Sequence, residues 1–270
     1  MKYKDIKYFL LSLIVIVLNV NVDAQSDLST PYSRFGLGDI YTSSPSTMLK
    51  GMGGVANAMS DHCLLNPNNP AAYASIDTLS FLFDAGFYIK TATFSTNKLS
   101  ESGSNASFDY ASVGLSATKR WKIGLGIMPY TNREYNVITE HHDLGSYNIA
   151  FQGEGGLNRA FFANGIKITD DLSVGVTASF IFGTLFDNTT IYYPDSTYFL
   201  NGKRSIEMRV NDFKFDYGVI YRLPTNKYDI ALGLTYSQGS NISSKRDIFI
   251  RNMFKGYDNL AESPIDTLKY

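Results

Sequence analysis

The stretch LSVGVTASFIF, residues 172–182, decides the fold class. Every second residue from Leu172 to Phe182 is apolar, and most of the residues between them are small or polar. Because successive side chains of a strand point to opposite faces, this stretch predicts a β-strand with one apolar face and one small, polar face. A soluble sandwich buries such an apolar face, whereas a transmembrane barrel turns it to lipid. Periodicity alone does not separate the two.

The same alternation recurs along the chain and predicts seven strands. They cover residues 79–90, 111–117, 121–128, 159–168, 172–182, 213–222 and 230–237. Tight turns at 119–120, 169–171 and 224–227 alternate with longer polar links at 96–107, 139–156 and 194–204. Outer-membrane barrels sort their connections in this way, with short periplasmic turns and long extracellular loops. The pattern therefore favours an all-β fold in which an antiparallel barrel crosses the membrane.

The N-terminus carries the features of an export signal. Three lysines precede an apolar run over residues 9–20. Val22 and Ala24 then occupy the two positions that a signal peptidase reads, which favours cleavage after Ala24. We therefore expect residues 1–24 to be a cleavable signal peptide and the mature protein to reach the cell outer membrane. The formal net charge of -1 gives no hint of a nucleic-acid partner.

The sequence offers little support for catalysis or metal binding. It contains no nucleophile elbow, phosphate-binding loop or paired His/Cys spacing, so we expect no enzyme activity, no catalytic residues and no cofactor. The cluster His141-His142-Asp143 lies in a predicted loop, where neighbouring side chains of an extended chain face opposite ways. Cys63 is the one cysteine and forms no internal disulfide. No metal site is predicted.

Seven strands cannot close a barrel whose two termini face the same side. The seventh strand runs outward and residues 253–270 have the composition of another extracellular loop. Unpaired strand edges in lipid cost several kcal/mol per unsatisfied group. We therefore expect residues 79–270 to be part of a longer barrel, truncated in an extracellular loop. The alternative is a seven-stranded protein that closes by oligomerisation.

Three motifs precede the strands: TPYSRFGLGD at 30–39, GMGGVA at 51–56 and NPNNPA at 66–71. Together they resemble the FadL/TodX family of outer-membrane transporters for hydrophobic compounds, in its Bacteroidetes form. The resemblance implies a fourteen-stranded barrel, of which this chain forms about half, and a hatch over residues 25–78. It also implies passive uptake of a hydrophobic small molecule or lipid, such as a long-chain fatty acid. The hatch residues that match the family are Asn66, Asn69, Pro70 and Ala71, although Asn-Pro pairs also form ordinary turns.

The resemblance further implies a kink in the third strand that opens a lateral gate. Pro129 lacks a backbone N–H and interrupts this strand just beyond Gly124 and Gly126, so these three residues are the gate candidates. The other possibility is that the strand ends at Pro129 and rises into its loop. Charged residues on the predicted inner faces of strands line the lumen or pair with one another: Asp84, Lys90, Lys214, Asp216 and Arg222.

Two other functions remain open at this point. A related branch, exemplified by PorV, binds secreted protein cargo in type IX secretion and also carries Gly-Met-Gly and Asn-Pro segments. A general porin with a small polar pore has the same strand pattern. A hydrophobic pocket favours uptake, a filled lumen with a partner-binding rim favours secretion, and an open aqueous channel favours a porin.

Overall fold

The computed structural model describes residues 31–41, 46–95, 100–142, 146–193, 201–225, 228–239, 242–253 and 264–269, most of which form β-strands. The helical elements are short: the 3-10 turns Pro31–Arg34 and Pro70–Ser75 and the α-helix α1, Thr47–Gly51. No helix within these ranges is long and apolar enough to cross a membrane. The strands are β1 (Asp39–Ile40), β2 (Phe81–Ser95), β3 (Ser100–Ser116), β4 (Trp121–Asn132), β5 (Tyr135–His141), β6 (Tyr147–Lys167), β7 (Leu172–Tyr192), β8 (Asn201–Leu223), β9 (Ile230–Ser237), β10 (Ser244–Met253) and β11 (Pro264–Lys269).

All strands belong to one sheet, in the order β11-β10-β8-β7-β6-β4-β3-β2. Pairing is antiparallel in the registers described, for example Gly175 opposite Gly218 between β7 and β8. Two strands are each divided into two pieces: β4 and β5 lie end to end along β6, and β9 and β10 lie end to end along β8. The alternation of apolar and small residues predicted an all-β fold with antiparallel strands. The observed sheet confirms that part of the prediction.

The strands are longer than the sequence predicted. β3 begins at Ser100, β6 at Tyr147 and β8 at Asn201, so they extend through most of the stretches that we expected to be long loops. Strong strand formers are few in these stretches: β6 gains Tyr147, Ile149 and Phe151, but residues 100–107 and 201–204 contain no Thr, Tyr, Ile or Phe. They form strands because partner strands pair with them, and such context outweighs intrinsic propensity. At the C-terminal end, β11 pairs with β10 where a loop was predicted.

Contacts between Cα atoms divide the chain into two compact units. Of the described residues, the main unit contains those between 31 and 88 and between 107 and 269, and the smaller unit contains residues 89–95 and 100–106. Within the smaller unit the described residues belong to β2 and β3, and the hydroxyl groups of Thr93 and Ser102 lie 2.8 Å apart across this hairpin.

In the main unit the sheet is curled, like part of a barrel wall, and its two faces differ in character. On β8 the residues from Phe213 to Leu223 that face outward are apolar and exposed, whereas Asp216, Gly218 and Ile220 between them are buried. The inner face carries residues 46–78, which we call the inner segment. Side-chain alternation along each strand produces both faces.

The outward side chains of the main unit form a continuous apolar band. On β7 this band runs from Leu172 to Phe182, which is about 33 Å along the strand at ~3.3 Å per residue. A strand tilt of about 40° reduces its height to roughly 25 Å, which is the height of the lipid-facing band in outer-membrane barrels. Neighbouring strands continue the band at Trp121, Ile123, Leu125, Ile127, Phe213, Phe215, Tyr217, Val219, Tyr221, Leu232, Leu234 and Tyr236.

Candidate functional site

Six glycines on the inner face form a belt across the sheet. They lie on β3, β4, β6, β7, β8 and β9: Gly114, Gly124, Gly165, Gly175, Gly218 and Gly233. A Cβ atom added at Gly175 would lie 2.5 Å from the Ala71 nitrogen and 2.6 Å from the Pro70 oxygen. Since a missing side chain lets two backbones approach closely, the belt allows the inner segment to lie directly on the sheet.

The inner segment is packed on the belt along most of its length. Leu65 and Ile76 pack over Gly114, Tyr73 lies over Gly124, and residues 57–58 lie over Gly233. The core cluster that results contains Leu65, Tyr73, Ile76, Tyr110, Met128, Phe161 and Ala163. Burial raises the pKa of Tyr73 well above its usual range, which keeps its hydroxyl neutral. The inner segment and the sheet therefore share one hydrophobic core.

The predicted hatch residues hold the inner segment in shape. Asn66 is fully buried and donates hydrogen bonds from Nδ2 to the carbonyls of Ala56 at 2.7 Å and Met59 at 2.9 Å. Asn69 is also fully buried; it caps the 3-10 turn by accepting from the Ala71 N–H at 3.0 Å and donates to the Asn57 carbonyl. Pro70 and Ala71 lie against Gly175. Each amide thus bonds the chain's own backbone, and a ligand-contacting role for these four residues stays a prediction.

One of the predicted lumen charges, Asp216, is the centre of a polar network on the inner face. Its carboxylate accepts from the Arg159 guanidinium at 2.8 Å and from the Ser237 hydroxyl at 2.6 Å, and Lys214 lies 3.2 Å away. Arg159 also donates to the Ser179 hydroxyl at 2.8 Å. The network ties β6, β7, β8 and β9 together.

Two of the other predicted charges, Asp84 and Arg222, lie on the inner face of the main unit. Asp84 accepts a hydrogen bond from the Tyr110 hydroxyl at 2.9 Å. Arg222 donates to the Ser60 carbonyl and hydroxyl at 2.9 and 2.8 Å, which anchors the inner segment to β8. Lys90 is exposed and belongs to the smaller unit. Within the main unit the structure therefore brings Lys214 and Asp216 together, whereas Asp84 and Arg222 have other partners.

The wall of the sheet changes its pairing at Pro129. β3 pairs with β4 only as far as Ala111 opposite Ile127, and the register of β4 against β6 shifts between Pro129 and Thr131. β4 nevertheless continues to Asn132, so Pro129 marks a bulge and does not end the strand. Gly124 and Gly126 lie below the bulge, against Tyr73 and Phe161. A gating role for Pro129 and these glycines stays a prediction.

Residues 33–41, which we call the latch, take the place of β3 beside β4 beyond this bulge. Asp39 and Ile40 pair with Asn132 and Thr131, and the Tyr41 N–H donates to the Tyr130 carbonyl at 3.1 Å. Gly38 has φ +91° and lies against the Asn132 carbonyl, where a Cβ atom would collide with it. Glycine is required here because both the backbone conformation and the close approach exclude a side chain.

An ion pair between a buried arginine and a half-buried aspartate anchors the latch to the sheet. Arg133 is 2 % exposed and donates both to the Gly36 carbonyl and to the Asp187 carboxylate. Asp187 also accepts from the Tyr135 hydroxyl at 2.7 Å. Arg133, Arg159 and Asp187 were not predicted from the sequence. Arg133 lies between β4 and β5, Arg159 on β6 and Asp187 on β7, and their partners are distant along the chain, which no local pattern reveals.

A polar cavity of about 370 Å³ opens at the end of the main unit where the tight turns lie. Its lining includes Asp77 and Arg222 together with turn residues such as Lys119, Asp170 and Asp229. At the margin of this cavity lies a cluster of side chains that could bind a metal ion: Asp61, His62 and Cys63, whose ligand atoms lie within 4.8 Å of one another. It is the one such cluster found among the residues that the structure describes. His62 and Cys63 are exposed, and the contact of His62 with Asp61 at 3.0 Å is a local turn contact.

Comparison with known families identifies the chain and overturns the FadL/TodX resemblance. The sequence model of the family described as BamG matches residues 5–269. No curated protein and no solved structure matches the chain significantly. Because the match covers almost the whole chain and is to a different family, the predicted FadL-like channel for hydrophobic compounds is wrong.

The predictions of function and partners that rested on the FadL/TodX resemblance change as well. Neither the PorV-like cargo-binding function nor the general porin is supported, and the expected hydrophobic small-molecule, lipid and secreted-cargo partners are wrong. The motifs that suggested the resemblance include the latch and the asparagines of the inner segment, which have packing roles in this fold. The chain belongs to the BamG family, whose members are proteins of the bacterial cell envelope.

Proposed function

We propose that this protein acts in outer-membrane protein assembly as a subunit of the Bam complex. The observation that carries this proposal is the match of the BamG family over residues 5–269. The inner face supports such a role. The inner segment and the sheet share one core at the level of the glycine belt, so this part of the interior is filled by the chain itself. Such packing favours a filled, rigid interior and a non-catalytic subunit that acts through its surfaces.

We further propose that the apolar band lies in the outer membrane, with residues 1–24 removed as a signal peptide and the inner segment acting as a permanent plug. Large outward side chains such as Phe213 and Leu234 are 61 % and 70 % exposed. Exposed apolar patches of this extent are rare on soluble proteins. At the edge of the band, β8 becomes polar on the same face: Asn211 lies opposite Phe182, and Arg209 lies one step further along, as expected where a strand leaves the hydrocarbon.

The membrane proposal is tested by placing an arginine in the middle of the band and at its edge. Phe215→Arg puts a charge in the middle of the band, where an arginine costs about 2–4 kcal/mol at the bilayer midplane. Asn211→Arg puts the same charge on the same face of the same strand at the edge of the band, opposite Phe182, where the cost near the interface is about 0–1 kcal/mol. We expect the first variant of the full-length protein to lose membrane-embedded, folded protein and the second to retain it. Equal folding of both variants in liposomes would contradict the proposal.

The assembly role is tested in the native bacterium with the tagged full-length protein. We expect it to co-purify with the Bam complex in mild detergent, and its depletion to slow the folding of newly exported outer-membrane proteins. A pulse-chase assay on a heat-modifiable barrel protein measures that rate. Purification free of Bam subunits together with an unchanged folding rate would overturn the proposed function.

A further inference from the structure

Three consecutive residues of the inner segment, Asp61, His62 and Cys63, gather metal-ligand atoms of three kinds at the margin of the polar cavity. Their carboxylate oxygen, ring nitrogen and sulfur atoms all lie within 4.8 Å of one another, and His62 Nδ1 is 3.0 Å from Asp61 Oδ1. Ligand atoms that bind one zinc ion at about 2.0–2.3 Å are themselves roughly 3–4 Å apart. The cluster therefore needs only small rotations of exposed side chains to surround one ion.

A turn brings the three side chains together. The Leu64 N–H donates to the Asp61 carbonyl at 3.4 Å, so His62 and Cys63 occupy the two central positions of the turn. The Cys63 N–H donates to Asp61 Oδ1 at 3.0 Å, which fixes the direction of the carboxylate. Consecutive side chains of a strand point to opposite faces, but a turn can gather them on one side.

The turn is held in place on both sides. Before it, the Arg222 guanidinium donates to the carbonyl and the hydroxyl of Ser60 at 2.9 and 2.8 Å. After it, Leu65 is buried, and the fully buried Asn66 donates to the Met59 carbonyl at 2.9 Å. A site whose backbone is already fixed loses little conformational freedom when it binds an ion.

The ligand types and the surrounding charges select a class of metal ion. Sulfur and imidazole ligands favour zinc and related transition metals, whereas calcium and magnesium prefer oxygen ligands. One carboxylate and one thiolate together neutralise a divalent cation. Five aspartates and three lysine or arginine side chains line the adjoining cavity, so its formal charge also favours a cation. His62 and Cys63 are exposed, which leaves the cluster accessible to ions from solution.

From this geometry we propose that Asp61, His62 and Cys63 bind one zinc ion at the end of the main unit where the tight turns lie. Zinc takes four ligands, so the three side chains leave one position for water or for a ligand from another protein. Binding forms the Zn–S bond and releases the thiol proton of Cys63 to solvent. The site goes beyond the proposed assembly function and does not depend on it.

The test uses Cys63 as its own reporter, since it is the one cysteine of the chain. Zinc is added to metal-free, full-length protein in detergent, and the alkylation of Cys63 by a thiol reagent is followed by mass spectrometry. We expect saturation at one zinc ion per chain and alkylation slowed by about tenfold or more, because a coordinated sulfur is a poorer nucleophile than a free thiolate. Magnesium and calcium at the same concentration should leave the rate unchanged. Cobalt in place of zinc should give the absorption of a cobalt–thiolate bond.

Matched variants locate the ion. His62→Gln removes one ligand, and Asp61→Asn removes a charge but keeps an oxygen for the Cys63 N–H. Each should weaken zinc binding by about tenfold or more, since even the loss of a group that only orients a ligand costs about 10–100-fold. The control is the double variant His141→Gln with His142→Gln, which removes the other two histidines of the chain and should leave zinc binding unchanged. None of these side chains is fully buried, so the urea midpoint of unfolding should not change.

Three results would overturn the inference: alkylation of Cys63 that zinc does not slow, equal zinc binding by His62→Gln and the wild type, or loss of binding in the double histidine control. Protection by magnesium or calcium as strong as that by zinc would also overturn it, because the cluster would then bind hard cations through oxygen. A disulfide between Cys63 and another protein in material isolated from the bacterium would refute it as well, since that sulfur could not bind an ion.

Discussion

Replacing Gly175 with alanine tests whether the inner segment is held by the glycine belt. The added methyl group would lie 2.5 Å from the Ala71 nitrogen and 2.6 Å from the Pro70 oxygen, which are backbone atoms and cannot rotate away. Inserting a methyl group into a packed core costs about 1–3 kcal/mol, and contact with backbone favours the upper end of that range. The inner segment must therefore shift or detach.

The expected size of the effect follows from that energy. A cost of about 3 kcal/mol corresponds to a roughly hundredfold larger population of the detached segment, at ~1.4 kcal/mol per tenfold change. Proteolysis under native conditions reports this population when opening and closing are fast. We expect cleavage within residues 46–78 of the full-length protein in detergent to be about a hundredfold faster in Gly175→Ala than in the wild type.

The matched control is Gly202→Ala. Gly202 also lies in a long strand, but no atom lies within 4 Å of a Cβ added there. Cleavage of the inner segment should therefore stay within about threefold of the wild-type rate. If Gly175→Ala is cleaved no faster than Gly202→Ala, the belt does not hold the inner segment and the packing argument fails.

Three further predictions concern single polar or glycine positions. Asn69→Ala removes the cap on the Ala71 N–H and the bond to the Asn57 carbonyl, and should lower the free energy of unfolding by about 1–3 kcal/mol in urea titrations; an unchanged midpoint would contradict the structural role. Asp216→Ala leaves Arg159 and Lys214 without their shared carboxylate and should cost about 3–5 kcal/mol, with Asp216→Leu plus Arg159→Met recovering most of it in the same titration. Gly38→Ala should detach the latch and speed hydrogen exchange of Asn132, whose backbone faces the latch, while Thr131, which faces β6, stays protected. Gly36→Ala, with no atom near its added Cβ but φ +60°, should have the smaller effect; the reverse order would refute the close-approach argument.

The strands could be predicted from the sequence because their signal is local. Alternation of apolar and small residues over residues 172–182 identified the strand, its two faces and the position of Gly175 on the inner one. The strand ends were less predictable, since residues such as Thr189 and Thr190 are polar in sequence but pair fully in the ladder of β7 and β8. Local polarity did not reveal that a partner strand was present.

The candidate site was only partly predictable because its contacts are distant in sequence. Gly218 was assigned correctly to the inner face, but its packing against Asn69 joins two regions that no local pattern connects. The wrong prediction of a transport function has a related physical cause. The side chains of Asn66 and Asn69 are buried and hydrogen-bonded to the backbone, so their motif reflects the packing of the inner segment. A motif of that kind indicates an inner segment lying on a sheet and does not determine what the protein transports or binds.

The order in which the chain is made differs from the order in which its parts can assemble. The inner segment leaves the ribosome before every strand of the belt, yet it contacts residues far along the chain, such as Arg222, which is 162 positions from Ser60. The hairpin β6–β7 closes over the short turn at residues 168–171 and needs no distant partner, so it can form early. The inner segment can complete its contacts only after the sheet that receives it has formed. A protein that we assign to the assembly of others thus has a late, long-range step in its own folding.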